Sequence, residues 1–204
     1  MSKNILAIGA HPDDIELGCF GTLKIHHDAG DQLFGIVMTN GEQGGDPKKR
    51  QTESKKTGKL LDMKLFFAEF SDGAVVDSLQ TVDFIEKIVK KHKINVVYTH
   101  SKNDRHQDHR NVANATISAT RYVDEVYSYE TPSSISPFFP QVFVDITDSI
   151  PLKKKAISLQ KTQEKRYYMK TESIEGLSKY RGFQAGKDNN FCEAFEVVRI
   201  IKSF

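Results

Sequence analysis

The sequence predicts an α/β fold, a Rossmann-like three-layer sandwich whose mainly parallel sheet has the order 3-2-1-4-5 and carries a C-terminal extension. Three observations lead there. Short apolar runs alternate with segments of helical period over about the first 130 residues, the pattern of strands joined by crossover helices. Clusters of histidine and aspartate follow the first and fourth of those runs, which this strand order makes neighbours at its ligand-binding crevice. The length of 204 residues, with 38% hydrophobic and 27% charged residues, suits one well-packed domain spanning residues 1–204.

The elements follow in order. Strand-like runs lie at about 4–9, 32–39, 64–68, 94–100, 125–130, 142–146 and 191–201. Ile15 to Ala29 places Leu17, Phe20, Leu23 and Ile25 near helical spacing, and Lys48 to Asp62 forms the second helical segment. Leu79 to His92 carries Val82, Ile85, Ile88 and Val89, and His109 to Tyr122 carries Val112, Ala115, Ile117 and Ala119. The loop Thr131-Pro132-Ser133-Ser134-Ile135-Ser136-Pro137 leaves the parallel core, and the chain returns as the strand at 142–146. Ile150 to Gln163 and Ile174 to Ala185 read as helices before the last strand. No repeat, low-complexity tract or linker divides the chain.

Composition narrows the function. With 29 basic and 27 acidic residues the net charge is +2, too weak a field to imply nucleic acid or an anionic membrane, so a small-molecule partner is expected. No signal-like segment and no run of 18 apolar residues is present, so a cytoplasmic protein without membrane insertion is expected. Cys19 and Cys192 lie in apolar surroundings and read as core thiols. The basic runs at Lys48-Lys49-Arg50, Lys90-Lys91 and Lys153-Lys154-Lys155 read as solvated helix faces, Arg50 excepted, and His26, His27 and His92 as surface residues.

The first cluster is Ala10-His11-Pro12-Asp13-Asp14-Ile15-Glu16-Leu17-Gly18, and the second contains His100, Asp104, His106, Asp108 and His109. Neither offers the glycine pattern of a nucleotide loop. Imidazoles and carboxylates at an open crevice are instead the ligand set of a catalytic divalent ion. His11 and Asp14 are three residues apart and suited to grip one cation, with Asp13 between them placed to hold a water. His106 and His109 repeat that spacing, while His100 stands between ligand and orienting group.

These residues resemble the LmbE-like / PIG-L family of metal-dependent N-deacetylases, through the A-H-P-D-D-x-E-x-G motif at 10–18 and His106-Gln107-Asp108-His109. Thr39-Asn40-Gly41-Glu42 with Gly44-Gly45, Arg50 with Glu53, Asn103-Asp104-Arg105, Arg181-Gly182 and Glu193-Ala194-Phe195 extend the likeness over nearly the whole chain. Phe20 departs from it, standing where a small residue is common. The resemblance implies one divalent ion per chain, zinc or another, held by His11, Asp14 and His109. It also implies Asp13 as general base, His106 as charge stabiliser or proton donor, and Arg50 at the substrate. Asp108 and Asp104 are candidates to orient the histidines. Glu42 and Arg50 border the crevice and are expected to meet sugar hydroxyls or an anionic aglycone. Phe138 or Phe139 offers an apolar face to sugar or to a neighbouring copy in a homo-oligomer.

The expected activity is removal of an acetyl group from an N-acetylglucosamine-type sugar, glycoconjugate or thiol-cofactor precursor. The alternatives are an amidase acting on a non-sugar or thiol-conjugate amide, a two-metal phosphoesterase, and a binding protein with a structural ion.

Overall fold

The computed structural model describes residues 2–188 and 190–202. Seven strands form one sheet: β1 (Asn4–Gly9), β2 (Gln32–Thr39), β3 (Lys64–Phe70), β4 (Val96–His100), β5 (Glu125–Tyr129), β6 (Val142–Asp145) and β7 (Cys192–Ile200), in the order β3-β2-β1-β4-β5-β7-β6. The first five are parallel in the expected 3-2-1-4-5 order. The extension adds β7 antiparallel to β5, and β6 antiparallel to β7.

Alternate residues of β1 enter two cores, as the two-residue period of a strand requires. Ile5 and Ala7 pack with Phe20, Leu23, Val37 and Tyr98 on one face, while Leu6 and Ile8 pack with Ile36, Ile85, Val97 and Val112 on the other. Phe20 is fully buried in the first of these cores, so its departure from the family pattern is a packing choice. Both cysteines are buried and free, as expected.

The helical segment expected over 15–29 is two helices, α1 (Asp14–Gly18) and α2 (Phe20–Asp28), with Cys19 between them at φ −144° and ψ 14°. The break has a distant cause. The Glu193 carboxylate accepts the N–H groups of Gly21 and Thr22 at 2.9 and 2.8 Å and the Thr22 hydroxyl at 2.6 Å, giving α2 its own N-terminal partner. Lys153 completes this buried knot, its ammonium 2.6 Å from Glu193 and 2.7 Å from the Leu17 carbonyl. Lys153 is therefore no solvated face residue.

The next helix, α3 (Pro47–Lys59), is capped by the Asp46 carboxylate and has proline in its first position. It is followed by α4 (Leu79–His92), capped by Ser78, and by α5 (Gln107–Ala119), which begins two residues before the expected start. The helix expected over 150–163 ends early as α6 (Ile150–Ser158), and two short 3₁₀ turns, Lys161–Gln163 and Tyr167–Met169, precede α7 (Thr171–Gln184). The three non-motif histidines are half-buried rather than fully at the surface: His26 sits between Asp31 and the Tyr98 hydroxyl, and His92 lies against the Phe34 and Phe66 rings. Among the described residues no helix is long and apolar enough to cross a membrane.

Candidate active site

Both motifs lie at the carboxyl end of the sheet because β1 and β4 are neighbours. After Gly9 the chain turns sharply into α1, with Asp13 at φ +110°, a conformation an aspartate adopts only when its surroundings impose it. Gly9 leaves room for that turn, since a Cβ there would stand 2.9 Å from the Cβ of Asp14.

Three side chains converge. His11 Nδ1 is 3.2 Å from His109 Nε2 and 3.4 Å from Asp14 Oδ2, and His109 Nε2 is 3.4 Å from Asp14 Oδ1. A tetrahedral ion with ligands at 2.0–2.2 Å separates those ligands by about 3.3–3.6 Å, so the two nitrogens and the two oxygens of Asp14 are near the spacing a cation would draw together. The charges fit as well. Asp13, Asp14, Asp72, Asp104 and Asp108 are all buried around these atoms, with Arg50 as the buried cation beside them.

Each of the two histidines uses its other ring nitrogen on carboxylates. His11 Nε2 lies 3.0 Å from Asp72 Oδ1 and 3.2 Å from Asp108 Oδ2, and His109 Nδ1 lies 3.1 Å from Asp104 Oδ2 and 3.3 Å from the Ser133 hydroxyl. Backbone groups fix the carboxylates in turn: Asp108 accepts the N–H groups of Gly73 and Val75, and Asp104 accepts that of His106. Asp72 was not among the expected site residues. Its signal was an Asp-Gly pair shortly after the third strand, on the same edge of the sheet as both motifs.

His100 is fully buried and stacks on His109 with ring centroids 3.9 Å apart. Its Nε2 accepts the Ala10 N–H at 3.0 Å, and the ring stands behind Asp14, with Nε2 3.1 Å from Oδ2. His106 precedes α5, accepts the Asp108 N–H on Nδ1 at 3.3 Å, and packs its ring 4.6 Å from that of His11.

Burial, followed by the charge of Asp14, pushes the Asp13 carboxyl up to about 7 against the pull of Arg50 and His11. Burial acts the same way on Asp14, but the imidazoles of His109 and His100 outweigh it and hold that carboxyl well below its usual range. Burial and the neighbouring histidines lower the pKa of His106.

Arg50 lies 3.4 Å from Asp13 through Nη2, which also donates to the Pro12 carbonyl at 2.6 Å, while Nη1 donates to the Gly41 carbonyl at 2.7 Å. A Cβ on Gly41 or Gly44 would stand 2.2 or 2.5 Å from Nη1, so the glycines after β2 make space for this guanidinium. Glu42 does not line the cavity as expected. It is exposed, and its carboxylate accepts the Asp72 N–H at 2.8 Å, while the adjacent Gln43 and Gly44 face the opening.

The converging atoms open into a cavity of about 410 Å³, ample for a small molecule. Asp13, Arg50 and His106 form one part of its wall, and Gln163, Arg166 and Tyr168 of the 3₁₀ segment form another. Sequence reasoning missed the latter group by running a helix through Gln163. Phe138 and Phe139 lie outside this cavity, so its aromatic face comes from Tyr167 and Tyr168.

A family model for PIG-L, GlcNAc-PI de-N-acetylase, matches residues 6–120, a span that holds both motifs. The uncharacterized deacetylase YaiS of Escherichia coli is 38% identical over 154 residues, covering 72% of this chain and 83% of that protein. The diacetylchitobiose deacetylase of Thermococcus kodakarensis is 25% identical over 187 residues, 79% of this chain and 70% of that protein. The crystal structure of the conserved protein TT1542 from Thermus thermophilus matches with a TM-score of 0.87 at 24% identity, covering 98% of this chain and 96% of that one. The chain therefore belongs to the PIG-L / LmbE-like family and is one of its deacetylases.

Proposed function

We propose that this chain is a zinc-dependent hydrolase that releases acetate from an N-acetylglucosamine-type substrate. One observation carries the reading: His11 Nδ1 and His109 Nε2 stand 3.2 Å apart, each 3.4 Å from an oxygen of the Asp14 carboxylate, and open onto a cavity walled by Asp13 and His106. The sugar is supported by the relative named a diacetylchitobiose deacetylase and by Tyr167 and Tyr168 in the cavity lining, aromatic side chains of the kind that pack on apolar surface.

His11, Asp14 and His109 would hold the ion, which when bound supplies Lewis acidity to the acyl oxygen and to a water. Asp13 takes the proton of the attacking water, with Arg50 holding its carboxylate in place. The water oxygen bonds to the carbonyl carbon, the C–N bond breaks, and acetate leaves with that oxygen. His106 lies on the cavity wall where a proton can pass to the departing nitrogen, giving the free amine. Asp72, Asp104 and Asp108 keep the two ligand imidazoles in one tautomer and orientation. Arg50 acts on Asp13 and ties the Pro12 and Gly41 carbonyls together, and as a lining residue of the cavity it keeps N–H groups for the substrate.

The test is acetate release from a panel of N-acetylglucosamine derivatives by metal-stripped protein with and without zinc, beside Asp13→Asn and His109→Ala. Zinc-dependent release is expected, falling about 100- to 10,000-fold in Asp13→Asn while one zinc per chain is retained. His109→Ala is expected to lose the zinc. Zinc-loaded protein that releases acetate from no acetylated sugar would overturn the substrate, and an active Asp13→Asn would overturn the base.

A further inference from the structure

A second cavity, of about 180 Å³, adjoins the first and shares Leu17, Pro132, Tyr167 and Tyr168 with it. Ile174 and Leu177 of α7 complete its apolar lining. Of the polar residues on its border besides Ser178, three are already engaged elsewhere. Glu130 is bound by Arg181 Nε and Nη2 at 2.6 and 2.5 Å, Lys153 by Glu193 and the Leu17 carbonyl, and the Ser173 hydroxyl by the Tyr167 carbonyl at 2.8 Å. Water in such a space would find few partners, whereas an apolar group of matching size would replace it at little cost. An aliphatic cavity of about 150 Å³ admits benzene. This one is therefore large enough for a phenyl ring or a chain of five to six carbons.

We propose that this cavity is a subsite for an apolar group carried by the substrate whose amide is cleaved at the His11, Asp14 and His109 cluster. The inference rests on the hydrolase reading above and adds a substrate class to it. Tyr167 and Tyr168 border both spaces, so the two are neighbours, and the proposed substrate reaches from the first into the second. The apolar group is either the acyl chain or the aglycone of the sugar, and the two present the same chemistry to Leu17, Ile174 and Leu177.

The experiment measures kcat/KM of the zinc-loaded enzyme on two series, N-acyl glucosamines from acetyl to hexanoyl and N-acetylglucosaminides with methyl, butyl, hexyl and phenyl aglycones. One series is expected to rise about three- to fourfold per methylene until the cavity is full, and that series identifies the end of the substrate which enters. Leu177 is 37% exposed and tolerates a larger side chain, so Leu177→Trp is expected to flatten the rise, while Leu177→Ala extends it to longer chains. Binding of hexyl and methyl glucoside, which contain no amide, separates the two readings. If no amide is cleaved but hexyl glucoside binds about tenfold more tightly than methyl glucoside, and Leu177→Trp removes the difference, the subsite stands and the hydrolase reading falls. If amides are cleaved with flat dependence in both series, or Leu177→Trp leaves the rise intact, the subsite is overturned.

Discussion

His11 and His109 face carboxylates through opposite ring nitrogens, His11 through Nε2 and His109 through Nδ1. That leaves His11 Nδ1 and His109 Nε2 directed at each other, 3.2 Å apart, and at Asp14. The carboxylates thus make the choice of orientation for both rings, turning one nitrogen of each toward the site. Asp108→Asn keeps the shape of the group but weakens this choice at His11, and is expected to lower zinc affinity about 10- to 100-fold in a chelator competition. Asp72 shares His11 Nε2 at 3.0 Å, so the loss is expected to deepen when Asp72 is changed as well. Much of this site was legible, because His11, Asp14, His106 and His109 stand in two short motifs. Asp72 was not, because it lies alone in a third loop and owes its place to the turn after β3.

At the scale of elements, the α1–α2 break is governed by a strand at the other end of the chain. Lys153→Met would leave the Glu193 carboxylate buried with its hydrogen-bond donors but without its cation, a change expected to cost about 3 kcal/mol in urea denaturation. Adding Glu193→Gln removes the stranded charge but sets an amide NH2 against the Gly21 or Thr22 N–H, so it is expected to recover only part of that loss. The seven strands were legible because apolar runs bounded by turn residues have few other interpretations. The break at Cys19 was not, because its partner lies 172 residues from Gly21 and no local pattern announces it. The end of α6 was hidden for a related reason: Thr162 is held by Glu53 through both its N–H and its hydroxyl, and Gln163 donates to the Gly44 carbonyl, so tertiary contacts draw the chain into a 3₁₀ turn over the cavity.

Over the whole molecule, the parallel order placed both motifs at one crevice, and that much followed from alternation of strand and helix. The position of β7 between β5 and β6 did not, since antiparallel strands returning after a long excursion can pair in several ways. Residues from the turn after β1, from α1 and from α5 meet at the proposed ion, so its binding should couple to global stability. Zinc at about 100 times its dissociation constant is expected to raise the unfolding midpoint by about 5–10 °C in a thermal scan, with His109→Ala insensitive to zinc. The 3₁₀ segment and α7 lie on a different part of the chain from every residue proposed to hold the ion or move a proton. Heredity could therefore treat the two halves separately: insertions and replacements between residues 161 and 178 would retune the proposed subsite, while the residues proposed to hold the ion and move protons, all within the first 110, would be left untouched.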